Sequence, residues 1–355
     1  MCRVAWLLVA LFAVADAGAP LHAADREERI REAERLHGNA NYVGAMEAYR
    51  SVLKDYPHEP AAVYGLAYSW FSGGKRLDEL VAFLEAELAS GVEQDPRSYA
   101  ILGRTHGALG AHAKAEPVLR RAVELMPDRA RSHQQLGVNL AAQNRPTEAL
   151  DAFLESARLD PRDVETWLGI AAAAEALERP ARAFFSGARA AGLEPASLRG
   201  RVAAMKAWIG LFAGLAAFEN PKAPEGAGAI VFVGPVKVTG GDERDRTPAS
   251  IEEITIAAMA AQRFSPPWKS KSDAEFCVFA FGALIGIFSG LDFVAEDPFW
   301  RLTLPWFVEL KESGHAETFT YLLLRSAGDE DAARWVARHD RKVEAYEAWA
   351  RGGAR

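Results

Sequence analysis

Apolar residues recur along the first half of the chain in one order: a large residue, a small one beside it, a turn, an alanine, another large residue and a proline. Tyr99, Leu102, Gly103 and His106 mark one helix, Gly110 the turn, and Ala115, Leu119 and Ala122 a second helix before Pro127. The next unit repeats this as His133, Leu136, Gly137, Leu140, Ala149, Phe153 and Pro161, and the one after as Trp167, Ile170, Ala171, Ala174, Ala183, Ala190 and Pro195. The prolines fall at one interval, 161 − 127 and 195 − 161 both being 34. A period of that size is one helix–turn–helix, which cannot bury its apolar face alone and must stack on its neighbours. Proline lacks an N–H donor and ends the helix before it, so it separates the units. The small residues predict close helix contacts, with Gly103 against Ala115, Gly137 against Ala149 and Ala171 against Ala183.

Two earlier units carry a weaker form of the pattern. Residues 26–59 keep Ala33, Leu36, Ala45, Tyr49, Val52 and Pro57, and residues 60–93 keep Leu66, Ala67, Trp70 and Phe83 but have Gly91 in the proline's place. Pro127 lies two periods plus two beyond Pro57 (127 − 57, or 70), which puts a short insertion between Ser90 and Asp95.

Trp167-x2-Ile170-Ala171 and Ala149-x3-Phe153 resemble the signature of the tetratricopeptide repeat family. The resemblance covers residues 26–197 and implies five hairpins, 26–59, 60–93, 96–129, 130–163 and 164–197, wound into a right-handed superhelix. It also implies a concave inner wall built from the first helix of each unit. On this chain those positions give Tyr64, Tyr68, Phe71, Arg97, Arg104, Arg131 and Gln134. Tyrosine and arginine dominate binding energy at interfaces, and the arginine fork suits carboxylates, so a protein or peptide is the expected partner. The alternative is that Tyr64 and Phe71 pack between units while the arginines pair with Glu124 or other neighbours. The lysines and asparagines with which the family holds a terminal carboxylate are absent from this wall.

Beyond residue 197 no family resemblance is found. Ser197 is an N-cap candidate for an apolar helix over 198–218, whose Val202, Met205, Trp208, Ile209, Phe212 and Leu215 point to nearly all sides and would cap the array. Residues 219–250 are rich in glycine and proline and read as a linker, with a small strand pair near 229–238 either side of Gly234-Pro235. A mostly helical C-terminal domain over 251–355 follows, so the fold class is all-α with that one strand pair. Phe276 to Leu291 is a continuous apolar run that falls short of the roughly 20 residues a spanning helix needs. A buried core helix is expected there, with membrane association through 276–291 as the alternative. Pro298 is placed to open a helix, Pro305 to kink it and Gly314 to cap it, and Val336, His339, Val343 and Tyr346 lie at helical steps on one last helix.

The N-terminus adds a compartment. Arg3 precedes the apolar stretch Val4 to Val14, and small residues follow to Ala23, the order of a secretory signal peptide over 1–23 with cleavage after Ala17 or Ala23. Abundant alanine and arginine suggest a bacterial source, hence the periplasm. The 355 residues are 50% hydrophobic and 25% charged, a globular balance with room for two domains. Removing 1–23 takes away Arg3 and Asp16, which cancel, so the formal charge stays at −7 and gives no support for nucleic-acid binding. Only Cys277 then remains, which excludes an intrachain disulfide and reads as a packed core residue.

Candidate chemistry is sparse. No His-Glu-x-x-His, Gly-x-Ser-x-Gly or phosphate-cradling glycine loop occurs. His106, His112 and His133 read as core or rim residues of the repeat. No catalytic residue, metal or cofactor is therefore expected. The expected function is an exported, non-enzymatic scaffold that binds a protein or peptide in the cell envelope. Two alternatives stay open: an envelope hydrolase with its site in the C-terminal half, and a membrane-associated assembly factor.

Overall fold

A computed structural model of the chain describes residues 18–194, 266–291, 296–326 and 328–352, with the separate positions 255, 259 and 262. Among the described residues the regular elements are helices, and the fold is all-α. The capping helix expected over 198–218, the linker with its strand pair near 229–238, and residues 1–17 of the leader lie outside the described residues. The chain divides into two compact units, residues 1–143 and 144–355.

The first unit holds α1 (Gly18–Gly38), α2 (Tyr42–Asp55), α3 (Pro60–Gly73), α4 (Leu77–Ala89), α5 (Arg97–Ala108), α6 (His112–Leu125) and α7 (Ala130–Ala142). Helices pair as hairpins, α1 with α2, α3 with α4 and α5 with α6, and the first helices α1, α3, α5 and α7 touch in that order. Local chemistry sets the ends. Asn41 caps α2 by accepting from the Gly44 N–H at 3.1 Å, and Gly110, at φ +74°, makes the left-handed turn between α5 and α6. Residues 90–96 separate α4 from α5, where 56–59 and 126–129 suffice at the other two junctions; Gly91 turns there at φ +76°.

Glycines on first helices receive large side chains. A Cβ on Gly65 would fall 2.2 Å from Tyr49 Cζ, and one on Gly103 would fall 2.5 Å from Leu119 Cγ. The side chain nearest to Gly103 is thus that of Leu119. Ala115 is fully buried on the same helix, and the leucine one turn further along α6 reaches over the glycine.

The second unit holds α8 (Pro146–Leu159), α9 (Val164–Ala176), α10 (Pro180–Leu193), the short α11 (Pro266–Lys269), α12 (Asp273–Ser289), α13 (Pro298–Glu312), α14 (Ala316–Ser326), α15 (Glu330–Arg338) and α16 (Asp340–Gly352). The glycine device recurs here, since a Cβ on Gly169 would lie 2.6 Å from the Phe153 ring. The apolar run at 276–291 is the core helix α12, opened by a capping box of Ser272 and Glu275 and burying Phe276, Cys277, Phe281, Leu284, Ile285 and Phe288. No described helix is long and apolar enough to cross a membrane. Pro298 opens α13, Pro305 sits inside it without ending it, and Gly314 caps it at φ +77°.

The single last helix expected through Val336 and Tyr346 is two helices. His339 leaves helical geometry at φ −126°, its Nδ1–H donates to the Trp335 carbonyl at 2.7 Å, and its ring stacks on Trp335 at 4.1 Å. Those contacts close α15, and Asp340 supplies the acid that suits a new N-terminus.

Candidate peptide-binding face

Tyr64, Tyr68 and Phe71 stand at i, i+4 and i+7 on α3, so they form one stripe, and all three are half-buried. Tyr64 and Tyr68 stack nearly parallel, with centroids 5.8 Å apart and planes at 11°. Arg97 and Arg104 stand two turns apart on the neighbouring α5 and address the same stripe. The Arg97 guanidinium lies 3.9 Å from the Tyr64 centroid and that of Arg104 4.3 Å from the Phe71 centroid, both in cation–π range.

The two arginines differ in their neighbours. Arg97 is held by Asp95, with Nε to Oδ1 at 2.9 Å and Nη2 to Oδ2 at 2.5 Å, while the same carboxylate accepts from the Arg97 backbone N–H at 2.8 Å to start α5. That bond raises the Arg97 pKa and ties its charge down. Arg104 forms no ion pair with any described residue. Burial pushes its pKa down, and the like charge of Arg131 on α7 adds to the effect. Arg131 is exposed. Gln134 is only 6% exposed, so it belongs to the packing beneath the wall. Glu124 is engaged by Arg121 at 2.9 Å.

Helix α1 adds two residues that the sequence reading did not single out. His37 stacks on Tyr68 at 4.6 Å. Its Nδ1 lies 2.9 Å from Ser69 Oγ, whose own proton goes to the Gly65 carbonyl at 2.8 Å; the hydroxyl oxygen therefore accepts and the histidine carries its proton on Nδ1. Burial lowers the His37 pKa. The signal was in the register: Glu34, Tyr68, Arg104 and Val138 follow one another at steps of 34, 36 and 34 (68 − 34, 104 − 68, 138 − 104), and His37 shares the position of Phe71. Val138 is 57% exposed. One position of the repeat thus presents an acid, a phenol, a guanidinium and an aliphatic group in order.

His106, His112 and His133 are engaged within the repeat. His106 is buried with Nε2 3.5 Å from Glu85, and His112 Nδ1 lies 3.2 Å from the Asn139 side-chain oxygen. His133 Nε2–H donates to the Pro127 carbonyl at 2.7 Å, as the Trp167 indole does to Pro161 at 2.9 Å; in both units the residue six after the proline ties the inter-unit turn to the next helix. Among the described residues no group of three or more histidine, cysteine or acidic side chains could hold a metal ion. What the face offers is a row of flat rings beside guanidinium groups, suited to stacking and to anionic or planar groups of a partner.

Residues 96–129 match the family model described as a tetratricopeptide repeat. No curated protein matches the chain. Among solved structures the chain is similar to YrrB, a TPR protein with an unusual peptide-binding site, at 23% identity and TM-score 0.41, over 50% of this chain and 90% of that one. It is similar to TTC0263, a thermophilic TPR protein of Thermus thermophilus, at 22% identity and TM-score 0.44, over 52% and 99%. For MamA of Desulfovibrio magneticus RS-1 the values are 14% and 0.41, over 48% and 96%. Residues 96–129, which form the hairpin of α5 and α6, are thus the part of the chain that matches a tetratricopeptide repeat.

Proposed function

We propose that the protein is an exported interaction scaffold whose first-helix face holds a peptide segment of a partner in the cell envelope. The observation that carries this reading is Arg104: a half-buried guanidinium on an aromatic face, without an ion-pair partner among the described residues and beside the like charge of Arg131. Two cations placed together without a carboxylate destabilise the free protein slightly and reward an anionic ligand. The rings of His37, Tyr68, Tyr64 and Phe71 beside them give apolar and planar side chains a surface to stack on. A segment that combines acidic and aromatic residues fits both features.

The test is affinity for a peptide selected from a random library against the full protein. Arg104→Ala and Arg131→Ala each weaken it by about 1–2 kcal/mol, roughly 5- to 30-fold, with helicity unchanged. Undiminished affinity in the double variant would move the site elsewhere. Export rests on the order of charged, apolar and small residues over 3–23. Protein recovered from its host should have an intact mass that begins at Gly18 or Ala24, and a full-length chain would refute export.

A further inference from the structure

The first unit has a cleft on the other side of α3 from the aromatic stripe. Leu66 and Trp70 lie about 200° around that helix from Tyr64 and Tyr68, and they line a cleft of 430 Å³ between α2, α3 and α4. Its origin is a break in the glycine pattern. Tyr49 sinks over Gly65 and Phe153 over Gly169, with the same step of 16 from ring to glycine (65 − 49 and 169 − 153). The same step from Phe83 leads to Tyr99, and a step of 18, past the insertion, to Ile101; neither leaves room for a ring. Phe83 therefore stays half-buried at the cleft wall, 6.2 Å from Trp70.

The polar groups around this apolar floor are unevenly paired. His58 Nδ1 lies 2.7 Å from a Glu87 oxygen, which occupies the acid that lines the cleft. Arg50 and Lys54, one turn apart on α2, also line the cleft and form no ion pair with a described residue. The Arg50 guanidinium lies 5.3 Å from the Trp70 centroid, so a cation borders the aromatic floor directly. An occupant that satisfies both halves has a flat apolar body and an acid a few bonds away.

We propose that this cleft is a second ligand site, independent of the peptide-binding face, and that it takes a small aromatic carboxylate. The ring lies against Trp70 and Phe83, and the carboxylate accepts from Arg50 and Lys54. The volume falls within the roughly 300–1,000 Å³ usual for small-molecule sites, and the lining, mostly apolar with a few convergent polar groups, is their usual composition.

The experiment is a ligand-observed NMR titration of the full protein with 3-phenylpropionate, repeated with its neutral isostere 3-phenylpropanamide. Saturable binding of the acid is expected, at least about tenfold tighter than the amide, because hydrogen bonds to a charged group are the stronger ones. Arg50→Gln with Lys54→Gln, two exposed positions, should weaken the acid to the level of the amide while the circular dichroism spectrum is kept. Arg104→Ala should leave the titration unchanged. Equal binding of acid and amide, no saturable binding, or a loss caused by Arg104→Ala in place of the α2 pair would each overturn the proposal. So would binding of a phenylalanine-terminated peptide where the free acid fails, since a chain end and not a small molecule would then be the ligand.

Discussion

Asp297→Ala is expected to cost the second unit about 3–5 kcal/mol, the usual loss when one partner of a buried ion pair is removed. Asp297 does two things at once. One of its oxygens accepts from the backbone N–H groups of Phe299 at 2.8 Å and Trp300 at 3.3 Å and so caps α13; the other takes Arg182 Nη2 of α10 at 2.7 Å. The Arg182 side chain is 6% exposed and lies over the Phe299 ring, so without Asp297 a charge is left in an apolar setting without this carboxylate. Asp297→Asn keeps an N-cap and should cost less than the alanine. Urea denaturation of the two variants checks both statements, and a loss under about 1 kcal/mol for the alanine, the worth of a surface pair, would show that the bridge holds nothing together.

Phe185→Ala is expected to be of similar size, about 3–5 kcal/mol, as for other buried aromatic truncations. Phe185 is fully buried on α10 and meets four rings from the C-terminal helices: Phe307 at 4.9 Å, Trp300 at 5.1 Å, Phe288 at 5.8 Å and Phe281 at 6.3 Å. Three of those contacts are close to edge-on, the arrangement that the ring quadrupole favours. Rings that also pack on one another around the vacated space cannot all collapse into it, which keeps the cavity cost high. Thermal melts of the variant beside Phe185→Leu give the check; near-equal melting temperatures for the parent and the alanine variant would mean that α10 is not the centre of this core.

The repeat was legible because its signal is periodic. Proline, glycine and alanine at a fixed interval report backbone geometry, which every unit must satisfy alike. The aromatic and arginine wall on α3 and α5 was legible for the same reason, as a register position projected from one unit to the next. What stayed hidden depends on which side chain meets which. Glu34 and His37 occupy wall positions, but their unit is the weakest match, and the stacking of His37 on Tyr68 joins two units that sequence spacing treats separately. That Leu119 is the side chain over Gly103 was not foreseen, because side-chain length as well as helical phase decides what fills a glycine's space. The break at His339 has no proline or glycine to announce it; a ring folded back on the Trp335 carbonyl ends the helix, and no periodicity encodes that.

Site-specific photo-cross-linking tests most directly whether a partner segment lies on the first-helix face. A benzophenone side chain placed at Tyr68 or at Val138 should cross-link a selected acidic and aromatic peptide, whereas the same group at Val43 on α2, a second helix, should not; Val138 and Val43 are 57% and 69% exposed and thus comparably reachable. Mass spectrometry of the adducts reads the outcome. Adducts at 68 and 138 that vanish when Arg104→Ala is introduced are the result predicted, and adducts at 43 with none at 68 or 138 would contradict it.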